Sequence, residues 1–381
     1  MMLPNPTLNL SGDRFTVHYR IALDDEREAR AFAEAVCVEQ TVEFPEPLVP
    51  RGDIRQKIVG RIESLEPAPS GGFEAVISYA VEITGFELTQ FLNVLFGNTS
   101  IKPNIRVERF TLPESLLRSF RGPRFGVQGL REYLNVQDRP LLCTALKPLG
   151  LSAADLANLA YHLALGGIDI IKDDHGLADQ SFAPFAERVQ RCAEAVERAG
   201  RETGRRAIYM PHIAGPVDTV VERARLAREA GAGGLLVSPG LVGFDTMRRL
   251  AADDSIALPI MSHPALLGSF VTSPANGISH FALFGQIARL AGADATVYPN
   301  WGGRFSFSRE ECGSIAEGAA VPMGHIKPIF PTPGGGMSLE RVPEMLRFYG
   351  KDVILLIGGG LFQAGPDLVA NCRDFLATVS A

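Results

Sequence analysis

GGIDIIKDDH, residues 166–175, is an apolar, strand-like run that ends in a lysine, two aspartates and a histidine at four consecutive positions. Charges at the end of a buried strand must pair, bind a metal or meet a charged ligand, because burying them alone is costly. The run follows AADLANLAYHLALG (153–166), whose apolar spacing predicts a helix. A helix feeding a short apolar strand is one beat of an α/β repeat, and the pattern continues on both sides.

Eight such strands are legible from residue 139 onward: PLLCTALKP (140–148), IDIIKDD (168–174), AIYMPHIAG (207–215), GLLVSPG (234–240), ALPIMSH (257–263), ATVYPN (295–300), HIKPIFPTPGG (325–335) and VILLIGGG (353–360). Eight strand–helix units predict a (β/α)8 TIM barrel. A doubly wound sheet would have fewer strands and a GxGxxG first turn, which is missing. Upstream, RFTVHYRIA (14–22) and EAVISYAVEI (74–83) read as strands and DEREARAFAEAV (25–36) as a helix. The fold class expected is therefore α/β: a small N-terminal α+β, ferredoxin-like domain over 1–125 and a barrel over 126–381. The polar stretch RSFRGPRFG (118–126) joins them.

Composition narrows the class. Hydrophobic residues at 46% and charged residues at 21% are ordinary for a globular enzyme. A net charge of −6 offers no basic stripe for nucleic acid. No apolar run reaches the roughly 20 residues of a membrane helix, and the N-terminus shows no secretory pattern. Five scattered cysteines without a CxxC pair suggest reduced thiols in a cytoplasmic protein.

In a barrel the chemistry gathers at the C-terminal strand ends. Those ends carry Lys147, Lys172, Asp174, His175, His212, Ser238, His263, Asn300 and Thr332, with glycine triplets at 334–336 and 358–360. Glycines after strands seven and eight suit a phosphate, because backbone N–H groups can approach its oxygens closely; tight turns are the competing reading. Lys172 has three: a carbamylated metal ligand, a Schiff-base amine or a structural ion pair. Its flanking aspartates should hold it charged, against the Schiff base. Lys147 is a proton shuttle or a solvated charge, and Pro148 sets an extended exit after it. His212 and His263 are each ambiguous between core and catalytic roles. His18, His162, His280 and His325 read as structural. Arg304, in WGGRFSFS, is either a mobile cation closing on an anion or an ordinary loop arginine.

GGIDIIKDDH…QSF resembles the RuBisCO large-chain signature GGLDFTKDDE…QPF, and ALKPLGLS resembles its strand-one IKPKLGLS. The similarity extends over essentially the whole chain and points to the RuBisCO-like, form IV branch. It implies that Lys172 is carbamylated and, with Asp174 and the residue at 175, holds Mg²⁺. It implies that Lys147 handles protons in enolisation and that His263 lies near the substrate phosphate. Phosphate loops correspond to Thr332, Gly334 and Gly335, and to Gly358 and Gly359. Glu39 and Asn98 resemble residues that complete the site of a neighbouring subunit, which implies a homodimer at least.

The departures are informative. His175 stands where the family has glutamate, and imidazole suits Zn²⁺ or Mn²⁺ better than Mg²⁺. KPLG lacks the second lysine, HPALL replaces HRAMH, ATVYP replaces a histidine pair, and Arg304 takes the place of the mobile-loop lysine. These losses argue against carboxylation. What remains is enolisation, isomerisation or decarboxylation of a phosphorylated keto-sugar or 3-oxo sugar acid, with His175 favouring the 3-oxo acid. The alternatives are a metal-independent Schiff-base lysine lyase and a non-catalytic sugar-phosphate binder.

Overall fold

The computed structural model describes residues 4–305 and 307–380; residues 1–3, Ser306 of the WGGRFSFS loop and residue 381 lie outside it. The chain forms two compact units. The first comprises the N-terminal stretch to Arg121 together with 267–286 and 322–326, and the second comprises the rest.

In the first unit, β1 (Arg14–Ile21), β2 (Arg61–Pro67), β3 (Phe73–Ala80) and β4 (Ile105–Thr111) pair antiparallel. Alternation along β1 buries Phe15, Val17, Tyr19 and Ile21 on one face. Helix Glu26–Glu39 is capped by Asp25, which accepts from the Glu28 N–H, and it buries Ala29, Ala33, Val36 and Cys37. The strand expected over 74–83 stops at Ala80. There Val81–Thr84 turns into a 3₁₀ segment, held by the Thr84 hydroxyl on the Val81 carbonyl (2.7 Å) and ended by left-handed Gly85. A short strand from far along the chain, β10 (Gly277–Ile278), adds parallel to β4.

The second unit is the barrel. β5 (Leu141–Leu146), β6 (Ile170–Asp173), β7 (Ile208–Met210), β8 (Leu235–Val237), β9 (Ile260–Ser262), β11 (Ala295–Pro299), β12 (Phe330–Gly334) and β13 (Ile354–Ile357) form one parallel sheet. All eight fall inside the runs expected from sequence. The ring closes between β7 and β8 through a parallel bridge of His212 and Leu236, where the Leu236 N–H donates to Pro211 O at 2.9 Å.

Every second strand residue fills the interior: Leu141, Cys143, Ile170, Ile208, Met210, Leu236, Met261, Ala295, Val297, Phe330 and Ile354 form one apolar cluster. Helix Gly126–Leu134 adds Leu130 and Leu134 to it. The same alternation sends Lys172, His212, His263 and Thr332 inward one step further along, while Asp173 and Tyr209 turn to the helix layer. Among the described residues no helix is long and apolar enough to cross a membrane.

Candidate active site

Lys147, Lys172, Asp174, His175 and His263 come together at the C-terminal strand ends. The Lys147 ammonium lies 2.9 Å from Asp174 Oδ1, and His175 Nδ1 lies 3.4 Å from the same oxygen. The His175 ring stacks on His263, with centroids 4.4 Å apart and planes 16° from parallel. Burial opposes the Asp174 charge, but hydrogen bonds from His175 and Lys147 hold its carboxyl far below the usual range. Lys147 leaves its strand through a cis peptide to Pro148.

Lys172 is buried, and its Nζ donates to the Asp173 carbonyl at 3.1 Å. Burial pushes its pKa below the ordinary value, outweighing the nearby Cys143, Asp174 and Asp173 that favour the charge. The aspartates do favour the Lys172 charge, as expected from sequence, but burial works against it more strongly.

Asp173 is engaged elsewhere. It faces away from the mouth and accepts from Arg188 Nε (3.2 Å), the Tyr209 hydroxyl (2.6 Å) and the His212 backbone N–H (3.1 Å). Arg188, on helix Phe185–Thr203, is itself fully buried and donates to Ala183 O and Ala178 O at 2.7 and 2.8 Å. Burial works against the Arg188 charge, yet the Asp173 carboxylate keeps its pKa above the ordinary value. The ion pair offered as one reading of Lys172 exists, but between Asp173 and Arg188.

His212 Nδ1 lies 3.1 Å from the Leu177 carbonyl, so it carries the proton, and Nε2 accepts from the Ser238 hydroxyl at 2.9 Å. Burial lowers its pKa to about 4. Unfolded histidine binds a proton near pH 6.5, so between these values the unfolded chain holds more protons. Stability present above pH 6.5 is then lost as pH falls towards 4, at up to about 1.4 kcal/mol per pH unit from this residue. Urea unfolding at pH 7 and pH 4.5 should show the loss, and a His212→Gln protein should show less of it. Equal losses would contradict the assignment. His263, pushed down to about 2 by burial and by Lys172 and His175, is also neutral; its Nδ1 accepts the Ala265 N–H at 3.2 Å.

The glycine loops follow β12 and β13. A side chain at Gly334 would strike Leu356, whereas Gly335, Gly358 and Gly359 face open space. Gly335 and Gly336 are left-handed, with φ of 94° and 66°. Gly360 approaches the Met337 carbonyl so closely that a Cβ would sit 2.2 Å from it, which brings the two loops together. β13 pairs with β5, so Gly358 leaves the barrel beside the Lys147 strand. A cavity of about 690 Å³ lies against helix Ala153–Leu165, lined by Lys147, Leu151, Asn158, His162, Phe362 and Pro366 among others. Thr332 is buried, its hydroxyl 3.5 Å from the Phe330 carbonyl.

Arg341, which the sequence did not single out, donates to Gly336 O (2.8 Å) and Trp301 O (3.0 Å) and joins the strand-six and strand-seven loops. Arg304 lies on the exposed strand-six loop over the Phe305 ring at 4.7 Å, and no contact among the described residues links it to the lysine–histidine cluster. Asn300 is buried and bonded to Tyr349. In the first unit, Asn98 donates to Glu39 at 3.1 Å, beside a small cavity of about 200 Å³.

Among the described residues, no three His, Cys, Asp or Glu side chains form a ready-made metal site. A protonated lysine offers no ligand, so the set at the mouth is completed only by Lys172 as a carbamate. Its depressed pKa favours the neutral amine from which a carbamate forms. Carbamate oxygen, Asp174 oxygen and His175 nitrogen then fit a divalent cation that accepts mixed O and N donors.

Residues 126–367 match the model of the ribulose bisphosphate carboxylase large chain, catalytic domain. The chain is 40% identical to the 5-methylthioribulose-1-phosphate isomerase of Rhodospirillum rubrum, over 97% of this chain and 96% of that one. It is 32% identical to the 2,3-diketo-5-methylthiopentyl-1-phosphate enolase of Bacillus pumilus, over 86% and 82%. The crystal structure of a Rubisco-like protein from Rhodopseudomonas palustris superposes with a TM-score of 0.84 at 39% identity, covering 96% of this chain and 97% of that one. With KDD on the second barrel strand and its lysine partner on the first, the chain belongs to the RuBisCO large-chain family, in its RuBisCO-like, form IV branch.

Proposed function

We propose that this protein catalyses proton transfer beside the ketone of a phosphorylated keto-sugar, an enolisation or isomerisation without carboxylation. The observation that carries the reading is the Lys147–Asp174 pair, 2.9 Å apart at the barrel mouth beside Lys172 and the stacked histidines. Lys147, half exposed, removes or returns the carbon-bound proton, and Asp174 holds its Nζ at the mouth. The open glycines of the strand-seven and strand-eight loops receive the phosphate. Lys172 as carbamate, Asp174 and His175 would hold a divalent cation, which when bound polarises the carbonyl and stabilises the enediolate. Neutral His263 offers Nε2–H as a donor to substrate. Glu39 and Asn98 serve the site of a second copy of the chain.

The isomerase named above is matched over nearly its full length at 40% identity, which supports isomerisation over the decarboxylation of a 3-oxo acid that His175 suggested. Incubation with 5-methylthioribulose 1-phosphate in D₂O, followed by NMR, should show deuterium entering next to the carbonyl and an isomeric ketose accumulating. Absence of both would reject the proposal. The Schiff-base alternative predicts instead a covalent lysine adduct after borohydride reduction, with activity indifferent to chelators.

A further inference from the structure

A second cavity, of about 960 Å³, opens at the opposite end of the barrel, where the strands begin. Its walls come from the segments leading into β5, β6 and β7 and from helix Leu368–Ser380. Four arginines line it: Arg139, Arg205, Arg206 and Arg373. Arg139 is already matched, donating to both oxygens of Asp169 at 2.7 Å. The other three make no ion pair among the described residues, and the remaining acid in the wall is Asp138. Arg206 is steadied by the Tyr133 ring, 4.0 Å from its Cζ. Arg205 lies against Gly167, where a Cβ would stand 2.9 Å from its Nη1; left-handed glycine makes room for the guanidinium. The wall is therefore net positive in a chain of net charge −6. A concave wall of one sign concentrates counter-ions, and the volume suits a small-molecule ligand.

We infer that this N-terminal mouth binds a multiply charged, phosphate-bearing small molecule, at a site separate from the Lys147–Lys172 centre. Guanidinium pairs with phosphate oxygens in a bidentate geometry that lysine cannot match. Tripolyphosphate titrated calorimetrically into the full-length protein is the probe. Binding should weaken at least tenfold in an Arg205→Gln/Arg206→Gln/Arg373→Gln protein and also fall in Arg373→Glu alone. It should be unchanged in Arg27→Gln/Arg30→Gln/Arg51→Gln, which removes three charges from the first unit. No binding at millimolar tripolyphosphate, equal binding by the first triple variant, or equal loss in the control would each overturn the inference. Melting curves of the variants report whether they are folded, and the single Arg373→Glu change on an exposed helix position keeps the test decisive if the triple variant is not.

Discussion

Arg188→Leu is expected to cost the barrel about 3–5 kcal/mol, the range for removing one member of a buried ion pair. The Asp173 carboxylate, fully buried, would keep only the Tyr209 hydroxyl and the His212 N–H, and the Ala178 and Ala183 carbonyls would lose their donors. Urea denaturation would measure the loss. The exposed Arg201–Glu197 pair on the same helix gives the contrast, since removing such a pair changes stability by less than about 1 kcal/mol. A loss at Arg188 as small as that at Arg201 would show that Asp173 is not held as described. A double Asp173→Leu/Arg188→Leu protein should recover part of the stability, because the penalty lies in the unpaired charge.

The second large effect concerns rate. Lys147→Met should lower kcat by about 10²–10⁴, the usual contribution of a positioned acid or base, with little change in overall stability because the side chain is half exposed. Substrate phosphate binding should survive, since the glycine loops are untouched. Loss of deuterium exchange in step with loss of turnover would assign the proton to Lys147. A variant that turns over slowly but exchanges at the original rate would give that proton to another group.

Much of the barrel was legible because its signal is local: short apolar runs separated by amphipathic helices, each ending in a polar residue. The cluster Lys147–Lys172–Asp174–His175–His263 was legible for the same reason, as strand ends converge in any barrel. What the sequence hid depended on partners distant in the chain. Arg188 sits in an amphipathic helix and shows its burial only once Asp173 is known to face that layer. Alternation from Ile170 could have supplied this, since 170, 172 and 174 share one side of the strand and 173 takes the other. Ser238 as the donor to His212, and Arg341 as the tie between two loops, depend on contacts between different βα units, which spacing does not encode. At Lys172 the neighbouring aspartates act as expected, but the depth of burial that outweighs them depends on how the barrel closes around the strand end.

β10 has a consequence for how this protein can be divided. Its two residues satisfy the edge of β4 opposite Arg106 and Val107, yet they are encoded between the fifth and sixth barrel strands. A gene fragment ending at the RGP linker would lack them and leave that edge bare, an invitation to pair with other chains. Order along the polypeptide and membership in a folding unit therefore differ. Neither unit is a cassette that recombination could pass on by a single cut, which ties the history of the small sheet to that of the barrel.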